Sequence, residues 1–137
     1  MNITDVKEIL REEGDKLEKI FELQGKLKEK YDVIEAGKGL YVPKLPFDIN
    51  HCLNQEYLKS LFYRVNAELF EASECLKNKP WKQSEVLTDN DHLFEELVDA
   101  LHFYIELCIN VGIDAGKLFE LYFKKQEVNK WRVQTKY

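Results

Sequence analysis

The feature that most constrains this chain is how rarely helix-breaking residues interrupt it. Its 137 residues include only six glycines and three prolines. In the long stretches between them, apolar residues recur every three or four positions rather than at every second one. The main interruptions are Gly37, Gly39, Pro43, Pro46 and Pro80. The sequence therefore predicts an all-α, four-helix-bundle-like fold, and the length predicts a single domain over residues 1–137.

The pattern predicts four helices and one long loop. The loop is expected where two glycines and two prolines cluster, from Ala36 to Asn54. Asp114 is the expected N-cap of the last helix, because it follows Gly112 and its side chain can accept hydrogen bonds from free backbone N–H groups. The helices are predicted at about Thr4–Val33, Gln55–Asn78, Asn90–Val111 and from Asp114 to about Arg132.

The charge distribution is uneven along the chain. The net charge is −5, from 20 Lys and Arg against 25 Asp and Glu. Residues 117–137 contain six basic and two acidic side chains, a net +4, and the first 116 residues contain 14 and 23, a net −9. Nucleic-acid binding needs a broad basic face, so the acidic body argues against it. On charge alone, the basic segment is typical of a solvated helix end.

Cysteine usage and hydropathy predict a cytoplasmic protein that does not enter membranes. The three cysteines, an odd number without a C-x-x-C pair, favour neither a disulfide framework nor a zinc site. The N-terminus is charged where a signal peptide is apolar. The most apolar run, Ala100–Ile113, has only 14 residues and includes His102 and Glu106.

Two pairs of carboxylates stand out on the second and third helices. Glu68 and Glu71 form one pair, and Glu96 and Asp99 form the other. The i,i+3 spacing puts both members of each pair on one helix face. Glu71 and Glu96 lie at similar distances from the turn between the helices, so antiparallel packing would put them level. Glu68 would face Asp99 one turn further along, which gives four carboxylates around one point between the two helices. Four carboxylates so close together need cations.

The residue types at this level favour a hard metal ion. Oxygen ligands without His or Cys suit Mg²⁺, or Mn²⁺, which commonly bridge to substrate phosphates. Arg64 is the one basic side chain on that face of the second helix that could help to neutralise the acids. From the residues alone, an acidic helix face at a solvated edge stays open as the alternative.

Other residues could bind the remaining parts of a nucleotide. Lys125, Asn129 and Arg132 fall at i, i+4 and i+7 and form one stripe that suits a polyphosphate. Trp81 offers a flat surface for a base, and His102, one turn after Asp99, could hydrogen-bond a base edge. A cap of the bundle and a structural histidine are the ordinary alternatives for Trp81 and His102.

Two motifs resemble a known family. The segments Glu68-Leu69-Phe70-Glu71 and Glu96-Leu97-Val98-Asp99 resemble the E-x-x-E…E-x-x-D signature of the all-α nucleoside triphosphate pyrophosphatases, the MazG-like superfamily. The longer stretches Glu96–Phe103 and Tyr122–Arg132 are similar to those of its dimeric dUTPase branch.

The resemblance implies a role for each matching residue. It implies Mg²⁺ binding and catalysis by Glu68, Glu71, Glu96 and Asp99, with a glutamate of the first pair helping to activate water. It implies phosphate binding by Lys125, Asn129, Arg132 and Tyr137. It implies base binding by Gln24, Trp81 and His102. One departure is Lys28, which stands where the branch usually has asparagine.

The function implied is Mg²⁺-dependent hydrolysis of a deoxynucleoside triphosphate, dUTP above all, to the monophosphate and pyrophosphate. Because of Lys28, a house-cleaning enzyme for dCTP or a modified nucleotide is the alternative. A non-catalytic helical interaction protein, with the carboxylates as a solvated face, is the alternative from another class. The apolar arc of the third helix looks too wide for a monomer, so a homodimer, or a higher homo-oligomer, is expected.

Overall fold

The computed structural model describes residues 14–136, and these residues form four α-helices. They are α1 (Lys16–Gly37), α2 (Cys52–Glu74), α3 (Asn90–Asn110) and α4 (Ala115–Gln134). The all-α prediction is confirmed. Within the described range, no helix is both long and apolar enough to span a bilayer.

Side-chain caps set the start of each helix. Asp15 Oδ1 accepts hydrogen bonds from the backbone N–H groups of Leu17 and Glu18, at 2.8 and 3.3 Å, and begins α1. Asp89 caps α3 in the same way. Asp114 Oδ1 accepts from Lys117 N at 2.8 Å, so the predicted N-cap of α4 is confirmed.

The ends of the first two helices differ from the prediction. The predicted start at Thr4 lies outside the described residues, but Gly14 and Asp15 are not helical, and α1 continues beyond Val33 to Gly37. Helix α2 begins at Cys52, after a His51 cap, and ends at Glu74 rather than Asn78. The Asn78 side chain instead bonds both the N–H and the C=O of Val86, at 2.8 and 2.9 Å, which holds residues 75–89 as a loop.

Helices α2 and α3 form an antiparallel hairpin and make the most extensive contact in the molecule, while α1 packs against α3 and, over a smaller area, against α4. A small core lies between α2 and α3, with Leu61 fully buried at its centre. Phe47, from the loop between α1 and α2, packs onto this core. The hairpin therefore fixes the register between the two helices that carry the carboxylate pairs.

Candidate functional site

The hairpin brings three of the four predicted carboxylates together. Glu68 on α2 faces Glu96 and Asp99 on α3, and one carboxylate oxygen of each lies within 4.8 Å of the other two. We call these three side chains the acid cluster. Its members come from opposite helices because α2 and α3 are antiparallel and each pair occupies one helix face. Such a spacing lets all three oxygens contact a single cation.

No Lys or Arg within residues 14–136 forms an ion pair with the acid cluster. The Glu96 side chain is only 12% exposed, and its Oε2 is buried without a hydrogen-bond partner. Burial, a hydrogen bond with Glu96 and the negative charges of Glu71 and Asp99 raise the pKa of Glu68 to about 7. Without a metal ion, a proton shared within the cluster relieves this repulsion.

Arg64 does not neutralise the acid cluster. Its guanidinium lies 3.2 Å from Glu35 Oε1 on α1 and 5.9 Å from the centroid of the Phe103 ring. The arginine is therefore engaged one turn away from Glu68, between α1 and α3. Arg64 therefore does not supply the positive charge that the acid cluster needs.

A cavity of about 670 Å³ opens on the side of the acid cluster nearest the loop between α2 and α3. Glu71 and Glu96 both line it, so the fourth predicted carboxylate lies beside the cluster rather than within it. His92 lines the same cavity and was missed in the sequence analysis. The signal for it was present, since His92 precedes Glu96 by four residues and so shares its helix face.

A smaller cavity of about 220 Å³ lies on the other side of the acid cluster. Gln24 and His102 line it together with Glu68 and Asp99, and Phe103 and Tyr31 supply flat apolar surface. Gln24 is 4% exposed, and its Nε2 is buried without a hydrogen-bond partner. An unpaired buried donor of this kind can be satisfied by an acceptor that enters the cavity.

Three of the predicted phosphate-binding residues line neither of the two cavities beside the acid cluster. Lys125, Asn129 and Arg132 lie in the last part of α4, and neither cavity beside the acid cluster is lined by a described residue of that helix. Trp81 is 77% exposed, contacts the Lys79 ammonium at 5.6 Å from its ring centroid, and lines neither cavity. Tyr137 lies outside the described residues.

Comparison with known families decides the assignment of the chain. A family model described as dUTPase matches residues 16–118, which is most of the chain. The chain belongs to this dUTPase family. The family is an all-helical one of the MazG-like superfamily, and its members are nucleoside triphosphate pyrophosphohydrolases that act on dUTP. Comparison with curated proteins gives no match, and neither does comparison with solved structures.

The matched segment includes both cavities and the acid cluster, but it ends before Lys125. The dUTPase assignment therefore rests on the part of the chain that forms the hairpin and its contact with α1. The role of the basic stripe on α4 rests on the motif resemblance alone.

Lys28, the position that departs from the dUTPase pattern, belongs to a partly buried group of charges between α1 and α3. Its Nζ donates to Asp32 Oδ2 at 2.6 Å, with the two side chains 16% and 23% exposed. Glu106 is 1% exposed and its Oε2 has no hydrogen-bond partner. Burial raises the pKa of Glu106, and the charges of Lys28 and Arg64 oppose that rise. Lys28 is thus held by carboxylates and does not line the smaller cavity.

The raised pKa of Glu68 predicts how stability depends on pH in the absence of metal. The ordinary pKa of 4.5 applies to the unfolded chain and about 7 to the folded protein. Between these values the folded protein holds a proton that the unfolded chain has lost, so the free energy of unfolding falls as pH rises from 4.5 to 7. We expect the melting temperature in EDTA to fall over this window in the wild type, and to fall less in Glu68→Gln. Equal slopes in the two proteins would contradict this origin.

Proposed function

We propose that this dUTPase family member hydrolyses dUTP to dUMP and pyrophosphate in a Mg²⁺-dependent reaction at the acid cluster. The observation that carries the proposal is the arrangement of the cluster, which is short of positive charge and lies between two cavities. The smaller cavity suits a pyrimidine ring, and the larger one gives room for a phosphate chain.

The residues of the acid cluster fit a hard divalent cation. They offer three carboxylate oxygens within 4.8 Å of one another, and Glu96 Oε2 has no other partner. When bound, Mg²⁺ would supply charge neutralisation of the triphosphate and acidify a coordinated water. Glu68, Glu96 and Asp99 would hold it, and binding would displace the proton that otherwise stabilises Glu68.

The remaining residues are assigned by position. Glu71 faces the larger cavity beside the cluster, so its carboxylate is available to orient the attacking water and accept its proton. Gln24 Nε2 would donate to a carbonyl oxygen of the base, and His102 would contact the same ring. Water is the nucleophile in this proposal, and no side chain forms a covalent bond to phosphorus. Phosphoryl transfer depends mainly on positioning and charge stabilisation.

Phosphate binding by Lys125, Asn129, Arg132 and Tyr137, and base stacking on Trp81, are parts of the same proposal. Lys125, Asn129, Arg132 and Trp81 line neither cavity beside the acid cluster in the described chain, so the proposal needs these side chains to reach the substrate in another way. A second copy of the chain, packed along α3, would provide such residues from its own α4. Helix α3 exposes a row of large apolar side chains that such a copy would cover. These are Phe94, Leu97, Val98, Leu101 and Tyr104, each 41–57% exposed.

We accordingly propose a homodimer that buries this apolar face of α3. Light scattering should give a molecular mass of about twice the chain mass of 16.3 kDa. A mass equal to that of one chain at micromolar concentration would contradict the dimer. The cytoplasmic location predicted from the three cysteines, all free in the structure, is retained as part of the proposal.

The direct test is to incubate the protein with each canonical dNTP and with dUTP, with and without Mg²⁺. We expect dUTP turnover to exceed that of every other substrate, with equal amounts of monophosphate and pyrophosphate, and EDTA to abolish it. Faster turnover of dCTP or a modified nucleotide would favour the alternative that Lys28 raises. No turnover of any nucleotide, and no Mg²⁺-induced rise in melting temperature, would favour a non-catalytic interaction protein.

A further inference from the structure

His92 lies one turn of α3 before Glu96 of the acid cluster. It lies in the first turn of the helix, and its Nε2 is 3.7 Å from Glu96 Oε1. The side chain lines the larger cavity with Glu71 and Glu96 and is 55% exposed. The imidazole is therefore open to a ligand in the cavity and is next to the one member of the acid cluster that has an unpartnered buried oxygen.

The distance between the two side chains suits binding of one ion by both. Metal–nitrogen and metal–oxygen bonds to imidazole and carboxylate are about 2.0–2.2 Å long. His92 Nε2 and Glu96 Oε1, which lie 3.7 Å apart, can both reach one ion at such distances. The nitrogen–metal–oxygen angle is then wider than the right angle of an octahedral site. A small rotation of the exposed imidazole brings that angle closer to 90°.

We propose that His92 supplies a nitrogen ligand to the metal ion held by Glu96, so that the centre binds Mn²⁺ more tightly than Mg²⁺. This inference rests on the metal centre of the proposed function and adds a ligand to it. Imidazole suits first-row transition metals, whereas Mg²⁺ prefers oxygen ligands and retains its waters. The two carboxylate pairs by themselves predict an all-oxygen site, because His92 belongs to neither pair.

The test uses Mn²⁺ alone, added to the metal-free full-length protein. Pulsed electron paramagnetic resonance should detect a directly bound ¹⁴N nucleus in the wild type and none in His92→Ala. The affinity for Mn²⁺ should fall about tenfold in His92→Ala, while the affinity for Mg²⁺ changes less than about threefold. Because His92 is exposed, the variant should keep the wild-type circular dichroism spectrum and melting temperature without metal.

His102 provides the matched control, since it borders the acid cluster from the other cavity. His102→Asn should keep the nitrogen signal, and loss of the signal there instead would overturn the assignment to His92. Absence of the signal in the wild type, or its persistence in His92→Ala, would also overturn it.

A further variant separates the two proposals. Glu96→Gln should weaken Mn²⁺ binding at least about tenfold if the acid cluster is the metal centre. If Glu96→Gln has that effect but no nitrogen is detected, the His92 inference fails and the proposed metal centre stands. If Mn²⁺ binding does not depend on Glu96, both fail.

Discussion

Replacing Glu96 with Gln, or Asp99 with Asn, should lower kcat for dUTP hydrolysis by about 10²–10³-fold or more. Each change removes one of the three carboxylates that lie within 4.8 Å of one another, and with it a charge that a Mg²⁺ ion needs there. Pyrophosphate release at saturating dUTP and Mg²⁺ measures the effect. Glu95→Gln is the matched control, because Glu95 is an exposed carboxylate adjacent to Glu96 on the same helix, and its activity should stay within about twofold of wild type.

The same variants carry a second readout that distinguishes loss of function from loss of fold. Glu96 is buried among like charges, so its neutralisation should leave the melting temperature in EDTA unchanged or raise it. Addition of Mg²⁺ should raise the melting temperature of the wild type and of Glu95→Gln but not of Glu96→Gln. Retained turnover in a folded Glu96→Gln protein would refute the assignment of the acid cluster as the active site.

Replacing Lys28 with Met should lower the free energy of unfolding by about 2–4 kcal/mol, because it removes the cation that faces the buried Glu106 and the partly buried Asp32. Lys28 Nζ is 2.6 Å from Asp32, and Glu106, which is 1% exposed, also faces it. Urea unfolding at neutral pH measures the change. The loss should shrink at lower pH, because burial raises the pKa of Glu106 and its carboxylate is protonated as the pH falls.

Lys26→Met is the control for that measurement. Lys26 pairs with Glu22 at 3.1 Å on the same helix, but the two side chains are 66% and 50% exposed, so the variant should lose less than about 1 kcal/mol. Equal losses in the two variants would mean that the buried position of Lys28 is irrelevant. The ratio of dUTP to dCTP turnover should change little in Lys28→Met, since Lys28 does not line the smaller cavity. A large change would assign Lys28 to base selection.

Much of the fold was predictable from local patterns. The start of α3 at Asn90 and the capping of α4 by Asp114 follow from short-range signals, because a cap depends on residues within one turn. The end of α2 was not predictable in this way. Asn78 leaves the helix because its side chain bonds the backbone of Val86, eight residues further along, and no helix periodicity carries that information.

The candidate site was likewise predictable only in part. The spacing of Glu68, Glu71, Glu96 and Asp99 predicted that they surround one point between two antiparallel helices, since their distances from the turn can be counted along the sequence. The structure places Glu68, Glu96 and Asp99 in one cluster and puts Glu71 at its edge, in the larger cavity. The rotation of each helix about its axis separates these positions, and the packing of the core sets that rotation.

By itself, then, the sequence determined the helical class, the cap of the last helix and the residues able to supply oxygen ligands, because each of these depends on neighbours a few positions away. Only the tertiary structure decided that Arg64 pairs with Glu35 rather than with the acids, that the buried Glu106 faces Lys28, and that Glu71 lines the larger cavity with Glu96 instead of joining the acid cluster. Two of these three depend on how α1 packs against the α2–α3 hairpin, and the third depends on which side chains line the larger cavity. Such contacts join residues far apart in the chain, and their partners are selected by packing and burial of charge rather than by spacing.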